Sequence, residues 1–240
     1  MKLSRRRMGA ILRKELVEYR HNGNMIYAMS ILPLIFLIQP LVEVLTLPSA
    51  DAASLRDEHS LLYLLAIPVL VPAVLASYSV VGERLQGTLE PMLGTPVRRE
   101  ELLASKALAA FVPSVAVSYT VFALFVAIVE IFAPAGIAPA LITGPDLLAQ
   151  LIFTPLLATW SIWVGIAIST RSGDPRTSGQ LAALASLPMV AVTSLIAFNV
   201  IQPTLAVALG FGAGLAVLVR LGAKVASRLF DRERLITSTR

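Results

Sequence analysis

Few side chains in this sequence can do chemistry. Glu43, Glu130 and Asp146 are carboxylates at the margins of long apolar runs, and His21 and His59 are the two imidazoles. An ionisable group inside a bilayer is costly, which makes each such residue a candidate for ion or proton handling. The three carboxylates fall near the outer ends of apolar segments, where interfacial water solvates them cheaply. Neither histidine has a set of neighbouring ligands with which to hold a metal. Cysteine is absent, which removes disulfides and thiol chemistry. The chain carries no Gly-rich loop ending in Gly-Lys-Ser or Gly-Lys-Thr, so it has no P-loop to cradle nucleotide phosphates. The densest run of charge, glycine and proline is ERLQGTLEPMLGTPVRREELLASK, Glu83 to Lys106.

The elements around that run are apolar. Of 240 residues, 56% are hydrophobic and only 15% charged, and the mean hydropathy is +0.77. Soluble domains carry about 25% charged residues. The composition therefore defines an integral membrane protein. About 20 apolar residues are needed to cross roughly 30 Å of hydrocarbon. Leu61–Val81 meets this without a charge, and Met25–Leu47, Ala104–Phe132, Leu147–Thr170, Leu181–Ile201 and Thr204–Val219 complete six spans. These runs are apolar on every face, whereas barrel strands alternate over about ten residues. The expected fold is all-α and polytopic. Prolines at 33, 40, 68, 72, 113, 155 and 188 kink helices that neighbouring helices can still satisfy.

Lys and Arg distribution orients the bundle, because basic short loops are retained on the cytoplasmic side. With six spans, the amino-terminal cluster, Arg84, Arg98, Arg99, Lys106, Arg171, Arg176 and the tail from Arg220 fall on one side, and Arg56 alone on the other. Both termini are expected in the cytoplasm, with the chain in the plasma membrane. The net charge of +5 is then a topology signal rather than a nucleic-acid footprint. The start of the chain is too charged for the core of a cleavable signal peptide. Three regions follow: an interfacial helix over 1–24, a six-span bundle over 25–220 with a cytoplasmic loop at 83–104, and a tail over 221–240.

Met8, Ile11, Leu12, Leu16 and Tyr19 recur at helical spacing against Arg13, Lys14, Glu18 and Arg20, which predicts an amphipathic helix lying at the inner surface. In the charged loop, Gly87 and Thr88 are expected to open a short helix, with Thr88 as cap and Glu90 in its first turn. Gly94 and Pro96 stop it, and Thr95 or Pro96 starts a second helical run into the third span.

The residues Glu83, Gly87, Thr88, Leu89, Glu90, Leu93, Thr95, Pro96, Arg99, Glu100 and Lys106 resemble the cytoplasmic loop of the ABC-2 family, the membrane subunits of ATP-binding-cassette exporters. ILRKELVEYRHN is similar to that family's interfacial elbow helix, and STRSGDPRTSGQLAALASLP resembles its link from the fourth to the fifth span. The resemblance implies that the loop holds a coupling helix that docks on a separate ATPase. Leu89, Met92 and Leu93 would supply an apolar knob, Glu83, Glu90, Arg98 and Arg99 a polar rim, with Gly87, Thr88, Thr95 and Pro96 shaping the loop. It implies no cofactor in this chain, with ATP and magnesium in the partner ATPase, and a second permease copy or a paralogue across a two-fold axis. It also places a substrate path between the second and fifth spans, where Ser77, Tyr78, Thr193, Ser194 and Asn199 are polar; Ser79 lies beside them. Helix–helix hydrogen bonding is the competing use of these side chains, at about 0.6 kcal/mol per contact.

The outer loops are short, which suits an exporter moving an amphipathic cargo (a drug, lipid, peptide or natural product) outward. The alternatives are an ion-gradient-driven secondary carrier, which favours midplane carboxylates or histidines and repeated halves, and a non-transporting assembly factor. In the last span, GFGAG at Gly210–Gly214 permits close helix approach and is expected to pack within the chain.

Overall fold

The computed structural model describes residues 4–46, 59–95 and 97–230. Its helices are α1 (Arg5–His21), α2 (Gly23–Thr46), α3 (Ile67–Ser77), α4 (Val81–Leu85), α5 (Leu89–Leu93), α6 (Arg99–Phe132), α7 (Ile137–Leu141), α8 (Gly144–Ser169), α9 (Pro175–Ala197) and α10 (Leu205–Leu229), with a 3-10 segment at Ser60–Ala66 leading into α3. No strand occurs among the described residues. Six helical stretches are long and apolar enough to span a bilayer: Met25–Thr46, Leu61–Leu85, Arg99–Phe132, Gly144–Ser169, Pro175–Ala197 and Leu205–Leu229. The all-α, six-span architecture expected from hydropathy is the one observed.

The boundaries move where local chemistry outweighs hydropathy. The third span begins at Arg99 rather than Ala104, because Glu100 and Glu101 occupy its first turn, where carboxylates complement the free amides and the helix dipole. The fifth begins at Pro175 rather than Leu181; the Asp174 carboxylate caps the Thr177 amide at 2.9 Å, and Pro175 opens the helix, a position that needs no N–H. The last continues through Arg220 and Lys224 to Leu229, ten residues past the expected end. Helices run through Pro33, Pro40, Pro72, Pro113, Pro155 and Pro188.

The second span is the axis of the bundle. In an apolar 18-residue window of Leu61–Leu85, 89% of the residues are buried, against 6% in that of Leu205–Leu229. The rest of the chain therefore shields span two from lipid, while span six turns most of its surface outward. The tightest approach is at Gly165 of α8, where an added Cβ would lie 2.7 Å from the Ala73 carbonyl oxygen and 2.8 Å from Ala76 Cβ. Only glycine allows this contact, the close packing that small residues give helices without a hydrophobic drive between them. The glycines of span six behave otherwise. Gly210 and Gly214 face open space, and only Gly212 meets a neighbour, Phe153 at 3.6 Å. The expected packing role of GFGAG therefore reduces to Gly212; the close contact of that helix is at Gly222, where an added Cβ would lie 3.1 Å from Trp163 Cβ.

Candidate functional site

The polar loop sits at the end of the bundle that also carries α1. Helix α3 stops at Ser77, and the next two free amides, of Val80 and Val81, both donate to the Ser169 hydroxyl at 3.0 Å. α4 then ends at Gly87, whose φ of +68° suits a residue without Cβ. The Thr88 amide returns to the Glu83 carbonyl at 3.0 Å and the Gly87 amide to Arg84 at 3.2 Å, the paired bonds of a glycine-terminated helix end. The sequence reading had Gly87 open a helix; it closes the preceding one. Thr88 stands just before α5, but its hydroxyl points to the Glu83 carbonyl at 3.4 Å. Thr95, Val97 and Arg98 are outside any helix, and the next helix begins at Arg99. Pro96 lies outside the described residues.

Beneath the loop is a buried cluster of charge. Lys106 has no solvent exposure. Its Nζ lies 2.8 Å from Glu15 Oε1 and 2.8 Å from Glu83 Oε2, and it donates to the Ser79 carbonyl at 2.6 Å. Lys14 pairs with Glu83 at 2.5 Å and with Glu18 at 3.4 Å. Two ammonium groups thus face Glu15 and Glu83, near electrical balance, which a buried ionic site requires. Burial raises the Glu15 carboxyl above its ordinary value, with Lys106 offsetting part of the effect. Burial alone would lower Lys14, but the hydrogen bond and charge of Glu83 outweigh it and hold that ammonium above its usual range. Burial also pushes the Tyr19 phenol well up.

Further contacts extend this cluster across the end of the molecule. Glu101 accepts from the Ser4 amide at 2.8 Å and the Arg98 amide at 3.1 Å, and faces Arg7 at 3.5 Å. One carboxylate therefore joins the starts of α1 and α6. Arg84 donates to the Ser172 and Thr170 carbonyls at 3.1 and 3.2 Å, fastening the loop to the turn between α8 and α9. Gln86 reaches Glu18 of α1 at 3.0 Å.

The residues chosen from sequence for docking divide by this geometry. Gly87, Thr88 and Thr95 are exposed, and Met92, Arg98 and Arg99 are half-buried. Glu83 and Leu89 are each 2% exposed; both face the bundle, Glu83 into the charge cluster and Leu89 into the apolar core, so neither forms outer surface. Glu90 and Leu93 lie on α5 with Leu89. Among the described side chains of the loop, Leu85 is a strongly exposed apolar one that the sequence reading passed over, at 62%. Arg99 Nε and Nη2 are shut off from solvent without a hydrogen-bond partner among the described residues.

The polar residues considered for a substrate path are not gathered in one place. Ser77 is buried and its carbonyl accepts from Ser178 Oγ at 2.8 Å, with Tyr78 half-buried alongside. Thr193 is fifteen residues further along α9, about 22 Å at 1.5 Å per residue, and bonds its own turn at Val190. Ser194 is half-buried beside it. Asn199 is exposed with φ of +55°, and the amides of Asn199 and Val200 return to Ile196 and Leu195 at 3.0 Å. It terminates α9 as Gly87 terminates α4, the left-handed position that asparagine tolerates.

At the opposite end, His59 Nδ1 meets Asp146 Oδ1 at 2.8 Å, and Asp146 also accepts from the Thr143 hydroxyl at 2.8 Å. The sequence reading found no partner for either His59 or Asp146, because they lie 87 positions apart.

Six apolar spans, the second nearly enclosed by the rest of the chain, with a polar loop fastened to an amphipathic amino-terminal helix, define a multi-pass membrane protein. The family model described as ABC-2 family transporter protein matches residues 9–210, most of the chain, and the chain belongs to that family. Membership makes it a membrane-spanning transport subunit. Comparison with curated protein sequences gives no match.

Proposed function

We propose that this chain is the permease subunit of an ABC-2 exporter, moving an amphipathic cargo outward under the drive of a separate ATPase that binds ATP and magnesium. The observation that carries the coupling role is the two-sided loop. Its inner face is fastened to α1, α6 and the α8–α9 turn through Glu83, Gln86 and Arg84, while Leu85, Gly87 and Thr88 remain exposed. A displacement applied to that tip would reach all three elements through short ionic and hydrogen-bonded links. The docking surface is accordingly Leu85–Thr88 with Pro91 and Thr95, not the buried Glu83 and Leu89. Arg99, whose Nε and Nη2 have no hydrogen-bond partner among the described residues, offers donors that a carboxylate of the ATPase would satisfy, since buried polar groups rarely go without a partner.

In this reading the loop and both termini are cytoplasmic, the protein lies in the plasma membrane, and two permease copies or a permease and a paralogue complete the pathway. Extraction in mild detergent followed by mass spectrometry of stoichiometric companions tests it. A cassette ATPase at about one copy per permease, joined to Thr88→Cys by a thiol crosslinker, is the expected result. A chain that purifies alone and transports under an ion gradient would replace this reading with the secondary-carrier one.

A further inference from the structure

A groove of about 610 Å³ runs between α1, the first turns of α2 and α6 at Pro113, within the roughly 300–1,000 Å³ typical of ligand sites. Its walls are apolar: Leu12 and Leu16 from α1, Ile26 and Met29 from α2, and Pro113 from α6. Ile26 stays 48% exposed and the neighbouring Val17 50%, so the core leaves this face open. Arg13 and Arg20 also line it. Both are exposed, and neither forms an ion pair with another described residue, whereas Lys14 between them is committed to Glu83 and Glu18. Seven residues apart, the two guanidinium groups arise from one face of α1 about 10 Å from each other along its axis. Gly9, one turn before Arg13, leaves the end of the groove empty, since a Cβ there would meet nothing within 4 Å.

This arrangement has two chemically distinct parts. An apolar trough descends from an amphipathic helix alongside two membrane-spanning helices, and a pair of unpaired arginines stands at its mouth. Arginine is suited to phosphate by its planar fork of donors, and basic pockets beside membrane helices select anionic head groups. We propose that the groove is a binding site for an anionic phospholipid, with an acyl chain along Ile26, Met29 and Pro113 and the phosphate between Arg13 and Arg20. The proposal rests on the placement of α1 at the membrane surface and is independent of whether an ATPase drives the chain. A lipid seated there would join α1 to α2 and α6 on the side away from the Lys106 cluster, bracing the helix from both flanks.

The test uses the protein with whatever subunits accompany it, reconstituted into phosphatidylcholine vesicles doped with photoreactive phosphatidylglycerol or, separately, photoreactive phosphatidylcholine. Labelled peptides are mapped by mass spectrometry. Phosphatidylglycerol is expected to label residues 9–30 in preference to phosphatidylcholine, by about five-fold per arginine. Arg13→Gln with Arg20→Gln should bring the two probes level. Gly9→Trp should abolish both labels with an unchanged melting temperature, and it carries the test alone if the arginine variant does not fold. Equal labelling of the unmodified protein by the two probes, or labelling that survives Gly9→Trp, would overturn the proposal. So would the absence of lipid label together with self-crosslinking of Ile26→Cys, which would assign the groove to a second copy of the chain. Companion capture reads the transport reading separately: label without an ATPase would sink that reading and leave the lipid site standing.

Discussion

The two ends of the second span are held by polar contacts of different depth. At the loop end, Lys106 is wholly enclosed and joins Glu15 of α1, Glu83 of α4 and the Ser79 carbonyl. At the other end, His59 is 21% exposed at the side chain and meets Asp146 alone, while Asp146 keeps a second bond from Thr143. A partially exposed partner can be replaced by water when it is lost; an enclosed ammonium and its carboxylates cannot. The comparison teaches that the same span is anchored stiffly where the loop leaves it and more loosely where it enters, and that the stiffness lies at the end carrying the loop.

The largest expected effect breaks the stiff end. Lys106→Met strands Glu15 and Glu83 without their shared cation and should cost about 3–5 kcal/mol, the usual penalty for removing one partner of a buried ionic group. It is read as a fall in the denaturation midpoint in detergent. Adding Glu15→Gln and Glu83→Gln should recover much of that loss, and failure to do so would show that Lys106 stabilises by packing rather than by charge. Next comes the middle of the span. Gly165→Ala forces a methyl against the Ala73 carbonyl and Ala76 and should cost about 1–3 kcal/mol by overpacking, measured the same way.

At the looser end, His59→Phe should cost about 1 kcal/mol, since Asp146 retains the Thr143 hydroxyl. A loss as large as that from Lys106→Met would erase the contrast between the ends. The smallest effects are visible in pH. Lys14 is held above its ordinary 10.5, so its contribution is complete below pH 10.5 and lost as pH rises through the raised value. Lys14→Gln should flatten the alkaline limb of the melting curve. Asp174 is held below its ordinary 3.8 by the Thr177 hydroxyl and amide. Its contribution is complete above pH 3.8 and lost as pH falls through the lowered value, an acid step that Asp174→Ala should remove.

Much of this is legible in the sequence. Hydropathy and length identify the six spans because a membrane helix must satisfy its own backbone within an apolar stretch. The amphipathic stripe of α1 and the punctuation of the loop were equally plain. What escaped were relations between distant segments. Glu15 lies on the apolar stripe of α1, four residues from both Ile11 and Tyr19, and that misplaced carboxylate was the one local sign of a buried cation opposite. Lys106, more than a turn inside an apolar helix, was the complementary sign. Which of the two loop faces would turn inward could not be read, because Glu83 and Leu89 are as plausible on a surface as their neighbours. Asn199 looked like a pathway residue for its polarity; its backbone conformation gives it a different task. The Gly165 contact left no mark in its own neighbourhood, since close approach is a property of two helices.

The near-complete enclosure of span two also constrains how the protein is made. Its wrapping comes largely from α8 and α9, both later in the chain, and the hydroxyl that serves the Val80 and Val81 amides belongs to Ser169, 89 and 88 positions on. At about 5–20 residues per second of synthesis, the segment waits on the order of 5–20 s in the bilayer before that partner exists. Its high hydropathy of 2.2, unneeded for lipid contact in the finished molecule, is what lets the nascent segment reside there alone until the later helices close around it.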